Sequence, residues 1–156
     1  TNRSLFNDRL ESALRAAHRH DTQLALLFLD VNDFKRINDV HGHAVGDRVL
    51  CVIAHRLESC MRETDTVARM GGDEFTVLLT DVQSRAAISN KLEQIHTIMA
   101  APLGPEFGAL KMPLCSIGVA YYPEDGKDAD TLLTYADGEM YRMKKHRSLD
   151  SEAPGT

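Results

Sequence analysis

Asp73 and Glu74 stand side by side in ARMGGDEFTVLLTD, residues 68–81, directly after Gly71 and Gly72 and between two apolar runs. A solvated turn explains one or two such acids. A third acid, Asp30, ends the apolar run LALLFLD at residues 24–30. If the strands are neighbours, their carboxylates meet at one edge of a sheet. Clustered, unpaired acids repel one another and resist desolvation, and a hard divalent cation such as Mg²⁺ offsets both effects by taking oxygen ligands. Magnesium keeps waters and shares its shell with substrate phosphates, so two carboxylates and a backbone carbonyl suffice, which implies a nucleotide. Gly71 and Gly72 fit the same chemistry, because a residue without a side chain accepts positive φ and lets a ligand come close to the backbone.

These residues need elements to carry them. Phe6, Leu10, Ala13, Leu14 and Ala17 recur at helical spacing, which predicts a helix over residues 4–20. The run at 24–30 has the length of a central strand and delivers Asp30 to a sheet edge. Phe34 and Ile37 mark a short helix, a turn is expected at 41–46 around Gly42 and Gly46, and Val45, Val49, Ile53 and Leu57 mark a longer helix ending near Met61. DTVARM (65–70) and FTVLLTD (75–81) read as a hairpin joined across residues 71–74. A helix follows and ends at Pro102, two further strands are expected within residues 106–122, and a last helix occupies 128–146, acidic at its start and basic at its finish. Hairpins require antiparallel pairing, so the expected class is α+β, a mainly antiparallel sheet of about five strands flanked by helices.

The chain has 156 residues, 43% hydrophobic and 26% charged, which suits one globular domain with a single core. No apolar stretch approaches the roughly 20 residues of a membrane-spanning helix, and no membrane contact by this segment is expected. Three cysteines at wide spacings fit neither a disulfide framework nor a zinc cluster and point to a reducing, cytoplasmic setting. The formal charge of −5 argues against a broad surface for duplex nucleic acid, while Lys35, Arg36, Arg69, Lys144 and Lys145 can still form a local site for phosphates. The start TNRSLFNDRL and the polar end DSEAPGT read as the edges of a piece cut from a longer protein, with the domain over 1–148 and a tail or linker over 149–156.

The pentapeptide GGDEF at 71–75 should arise by chance about once per million positions at average usage, and it is accompanied by LDVNDFKRINDVHGHAVGD (29–47), SIGVAYYPEDG (116–126) and YADGEMYRMKK (135–145). Together these resemble the GGDEF family of diguanylate cyclases over nearly the whole chain. The resemblance implies a domain related to the palm of nucleotidyl cyclases and polymerases, with a ferredoxin-like core. It further implies condensation of two GTP into cyclic di-GMP with release of two pyrophosphates, at a homodimer in which each domain holds one GTP.

By the same resemblance, Asp30 and Asp73 bind Mg²⁺ or Mn²⁺, Val31 adds its carbonyl, and Glu74 lies in or near the metal shell. Asp73, with Glu74 beside it, is the catalytic candidate for deprotonating the attacking hydroxyl. Guanine is read by Asn38 and Asp47, an amide and a carboxylate that together match its donor and acceptor edge, with His43 bracing the turn nearby. The backbone at Asp33 and Phe34, with Lys35 and Lys144, cradles the triphosphate, and Gly71 and Gly72 admit the ligand. Arg62 and Asp65, in RETD, match the family's product-inhibition motif, which makes cyclic di-GMP a feedback inhibitor as well as the product.

Asn32 stands where many members carry a second Asp, which leaves Asp30 in place as the principal ligand, and the Lys-to-Arg spacing near the C-terminus is short, so a phosphate role carries over to Lys144 but poorly to Arg147. The alternative function is a regulatory module that binds GTP or cyclic di-GMP without turnover, attached to a phosphodiesterase or sensory domain.

Overall fold

The strand carrying Asp30, β1 (Gln23–Val31), is buried at every position from Leu24 to Val31. Helices cover both faces of it, which is why its sequence is continuously apolar instead of alternating. Ala25, Leu27, Leu29 and Val31 join one core with Phe34, Val49, Ile53 and Ile95. Leu24, Leu26 and Phe28 join a second core with Phe6, Leu10, Leu132 and Met140 on the opposite face.

The computed structural model describes residues 3–152, with side chains through 146. Helix α1 (Arg3–His20) precedes β1, and α2 (Phe34–His41) and α3 (His43–Ser59) follow it. Next come β2 (Thr66–Gly71), β3 (Glu74–Val82), α4 (Arg85–Met99), a 3₁₀ turn at Pro105–Phe107, β4 (Cys115–Tyr122) and α5 (Ala129–Glu152). The sheet order is β2-β3-β1-β4, and every pairing is antiparallel. The α+β class and the antiparallel sheet therefore agree with the sequence reading.

The number of strands does not: among the described residues there are four, where about five were expected. Only β4 forms within residues 106–122, because the chain before it is folded into local turns. Gly104 and Gly108 take φ of 126° and 59°, and the amides of Phe107, Gly108 and Leu110 donate to Gly104, Pro105 and Phe107. Pro113 offers no N–H to a ladder. Strand β4 therefore pairs with β1, from Val31 opposite Cys115 to Leu24 opposite Tyr122, and not with a sequence neighbour.

Two boundaries also move. The turn expected over 41–46 shrinks to Gly42 alone, whose φ of 90° separates α2 from α3, so residues 43–46 are the first turn of α3. The hairpin turn expected over 71–74 narrows, with strand pairing reaching Gly71 and Glu74. Helix α5 continues past residue 148 to Glu152; residues 153–156 lie outside the described residues. Cys60 and Cys115 are buried and Cys51 exposed, and none of the three forms a disulfide.

Candidate active site

The register of β1 on β3 places Asp30 directly opposite Glu74, and opposed residues of an antiparallel pair share a face. The amide of Val31 donates to the carbonyl of Asp73 at 3.1 Å, which ties the hairpin tip to the end of β1. Gly71 and Gly72 take φ of 150° and 53° with open space where a Cβ would stand, so the backbone itself requires glycine there. Arg69 Nε donates to the Gly72 carbonyl at 2.9 Å and steadies the turn. The first strand and the hairpin tip thus bring Asp30, Asp73 and Glu74 to one corner.

Helix α5 completes that corner because of a glycine. A Cβ on Gly118 would fall 2.0 Å from the Ala136 carbonyl oxygen and 2.3 Å from the Met140 nitrogen, so α5 lies directly on β4. One turn beyond Met140, Lys144 reaches back and its Nζ donates to Asp30 Oδ2 at 2.5 Å. Asn32, at the mouth, accepts from Ser116 Oγ at 3.0 Å.

The electrostatics follow from this packing. Burial, then the charge of Asp30, holds the Asp73 carboxyl above the usual carboxylate range. Glu74 is raised by burial and then by Asp30, Asp137 and Asp73, with Arg3 acting against them. Lys144 is raised by its hydrogen bond to Asp30. When one of the two aspartates is protonated the pair can hydrogen-bond to each other. With both ionised, Asp30 Oδ1 is buried and meets no donor. An orphaned, buried carboxylate oxygen beside a second carboxylate fits a hard cation with oxygen ligands. Among the described residues no three His, Cys, Asp or Glu side chains close into a metal cage; the carboxylates present at the corner are those of Asp30 and Asp73, with Glu74 beside them.

The other predicted residues sort by distance from this corner. Asp33, at φ 57°, caps α2, and its carbonyl accepts from Arg36 and Ile37. The amides that open α2, from Phe34 on, have no intrahelical acceptor, as at any helix start. The Phe34 side chain is buried in the core and Lys35 is exposed. Asn38 Oδ1 is buried without a partner, and a Cβ on Gly46 would lie 1.9 Å from it. Gly46 therefore holds α3 against Asn38 and places the next residue, the exposed Asp47, beside α2. His43 is an exposed residue at the start of α3.

Arg62 and Asp65 form a closed network away from the carboxylates. The Asp65 side chain is fully buried, and its oxygens accept from the Arg62 amide, the Arg62 guanidinium and the Thr80 amide. Arg62 also donates to the Thr80 carbonyl at 2.5 Å. The side chain of Arg147 lies outside the described residues. Arg3 and Asp137, both acting on Glu74, went unmarked in the sequence, because no local pattern links residues so far apart to the hairpin.

The family model described as "Diguanylate cyclase, GGDEF domain" matches residues 1–149. This chain belongs to the GGDEF family. The GGDEF domain is 45% identical over 144 residues to the diguanylate cyclase TpbB of Pseudomonas aeruginosa, covering 92% of this chain and 33% of TpbB. It is 39% identical to the bifunctional diguanylate cyclase/cyclic di-GMP phosphodiesterase MucR of the same organism, covering 92% of this chain and 21% of MucR. It is 32% identical to the cyclic di-GMP phosphodiesterase PdeR of Escherichia coli, again over 92% of this chain and 21% of PdeR. The chain thus spans about a third or less of these relatives. Its structure superposes on the crystal structure of the GGDEF domain of TpbB with a TM-score of 0.90, at 44% identity and covering 94% of this chain and 91% of that one. Among the described residues no helix is long and apolar enough to cross a membrane.

Proposed function

We propose that this GGDEF domain is a diguanylate cyclase that condenses two GTP into cyclic di-GMP with release of two pyrophosphates in the cytoplasm. The observation that carries the reading is the meeting of Asp30 and Asp73, with a buried Asp30 oxygen that no protein donor satisfies. Asp30, Asp73 and the Val31 carbonyl would hold Mg²⁺ or Mn²⁺, which when bound neutralises charge on the phosphates.

The protein's own residues do the rest. The amides that open α2, with Lys35 and Lys144, bind the triphosphate by donors and positive charge. Lys144, already placed at Asp30, is positioned to meet phosphate charge at the same corner. Asn38 Oδ1, buried without a partner, and Asp47 would read guanine. The 3′-hydroxyl of one GTP attacks the α-phosphorus of the other in line, and pyrophosphate departs. Asp73 accepts the hydroxyl proton in this scheme, with Glu74 supporting it. Because each domain holds one GTP, turnover requires two domains face to face. Arg62 and Asp65 would bind the product as an inhibitor once their internal network opens.

The test is chromatography of a reaction containing GTP and Mg²⁺ at high protein concentration, with pyrophosphate release measured in parallel. Cyclic di-GMP with two pyrophosphates per product is expected; GTP left intact at concentrations where the domain is dimeric would overturn the reading. A regulatory domain that binds nucleotide without turnover is the second reading. It is favoured by the match to PdeR, a relative named for phosphodiesterase activity. Thermal stabilisation by GTP and Mg²⁺ without product would select it.

A further inference from the structure

A cavity of about 1140 Å³ lies between α2 and the turn-rich segment before β4. It opens on the side of α2 away from Asn38 and Asp47, neither of which lines it. Its apolar wall is built from Ile37 and Val40 of α2 and from Leu110, Met112, Pro113 and Leu114 of the facing segment. Val40 and Leu114 are 64% and 67% exposed, which is unusual for large aliphatic side chains standing together at one opening. The wall is anchored, since the Asn32 amide donates to the Leu114 carbonyl at 2.8 Å.

The charged groups in the same cavity are unbalanced. Arg36, Lys111 and Lys144 line it against a single acid, Asp33. Lys144 is engaged with Asp30, whereas the side chains of Arg36 and Lys111 have no hydrogen-bond or ion-pair partner among the described residues. An apolar enclosure with a few convergent polar groups is the usual form of a small-molecule site, and here the convergent groups are cationic.

We propose that this cavity binds a small anionic amphipath, a molecule with an apolar body seated on the Val40 and Leu114 wall and an acidic headgroup held by Arg36 and Lys111. The cavity excludes the residues assigned to guanine but shares Asp33 and Lys144 with those assigned to the triphosphate, and the proposal does not depend on the cyclase reading. Lys144 lines the same cavity and donates to Asp30, so a headgroup held by Arg36 and Lys111 brings negative charge into the cavity that this ammonium also faces.

Met112 lines the cavity and supplies the reporter. In protein labelled with ¹³C at the methionine methyls, its resonance is assigned by its loss in Met112→Leu. Decanoate and decan-1-ol, equal in chain length and used below their aggregation limits, separate the headgroup charge from the apolar body. Decanoate should move the Met112 resonance saturably, and the alcohol should need about tenfold more, the difference expected for a charge-assisted hydrogen bond. Arg36→Gln combined with Lys111→Gln should weaken decanoate about tenfold and leave the alcohol unchanged. Leu114→Asp should weaken both. A Met112 resonance that does not move, an equal response to the two probes, or equal shifts of all the methionine resonances at one concentration would overturn the proposal. All four substitutions are tested in protein shown to be folded by its unperturbed remaining methyl resonances, and they touch none of the residues assigned to nucleotide.

Discussion

Lys144 Nζ lies 2.5 Å from Asp30 Oδ2 across 114 positions of sequence, and the two side chains are 41% and 9% exposed. The more exposed partner is screened by solvent, so the pair should contribute about 1 kcal/mol and not the larger figure of a fully buried one. Lys144→Met is therefore expected to lower stability by about that amount in denaturant titration while raising the KM for GTP, since the lysine is assigned to phosphate.

Asp73→Asn should separate stability from activity. The substitution removes a charge that burial and Asp30 disfavour, so the melting temperature at neutral pH in EDTA should rise. Cyclic di-GMP synthesis should fall about a hundredfold or more, the scale for losing a group that acts on developing charge. A variant with a lower melting temperature would contradict the repulsion; near-normal turnover would remove the catalytic role.

The pH dependence has a defined sign. A raised carboxyl pKa means that the folded protein holds its proton longer than the unfolded chain does, so stability from Asp73 and Glu74 is present at the acidic end. It is lost as pH climbs from their ordinary values of 3.8 and 4.5 through the raised ones. Lys144 acts at the other end: its raised pKa stabilises fully below the ordinary 10.5, and that contribution disappears as pH rises through the folded value. Unfolding free energies of Asp73→Asn/Glu74→Gln, measured in EDTA from pH 4 to 7, should decline less with pH than those of the parent.

Arg62→Ala and Asp65→Ala should differ. Without Arg62, Asp65 still accepts from two backbone amides, at positions 62 and 80, so the fold should persist while product inhibition is relieved. Without Asp65, those part-buried amides lose their acceptor, a loss of about 1 kcal/mol each. Inhibition curves for Arg62→Ala identical to those of the parent would remove the regulatory assignment.

Asn38→Ala should leave the fold intact, because Oδ1 of Asn38 has no partner within the protein to lose. The preference for GTP over ATP should fall about tenfold or more, the usual consequence of deleting a group that hydrogen-bonds substrate. Competition of the two nucleotides in a thermal-shift titration measures it.

Local patterns in the chain were enough to set the class, most of the elements and which acids stand at the corner. An apolar run ending in Asp30, glycines before Asp73 and helical spacing in α1 and α3 are all short-range signals, and short-range signals report backbone propensity and burial. The missing fifth strand shows where they stop. Residues 106–114 are apolar enough for a strand, but Gly104, Gly108 and Pro113 turn the chain locally and hand the β4 pairing to β1. What the tertiary structure alone decided was which distant groups meet: Lys144 at Asp30 by way of Gly118, Arg3 and Asp137 near Glu74, Asp65 at the Thr80 amide, and two unpaired cations facing an apolar wall. Such meetings depend on register and helix packing, which are settled by the sum of many contacts across the core and leave no local trace in the order of residues.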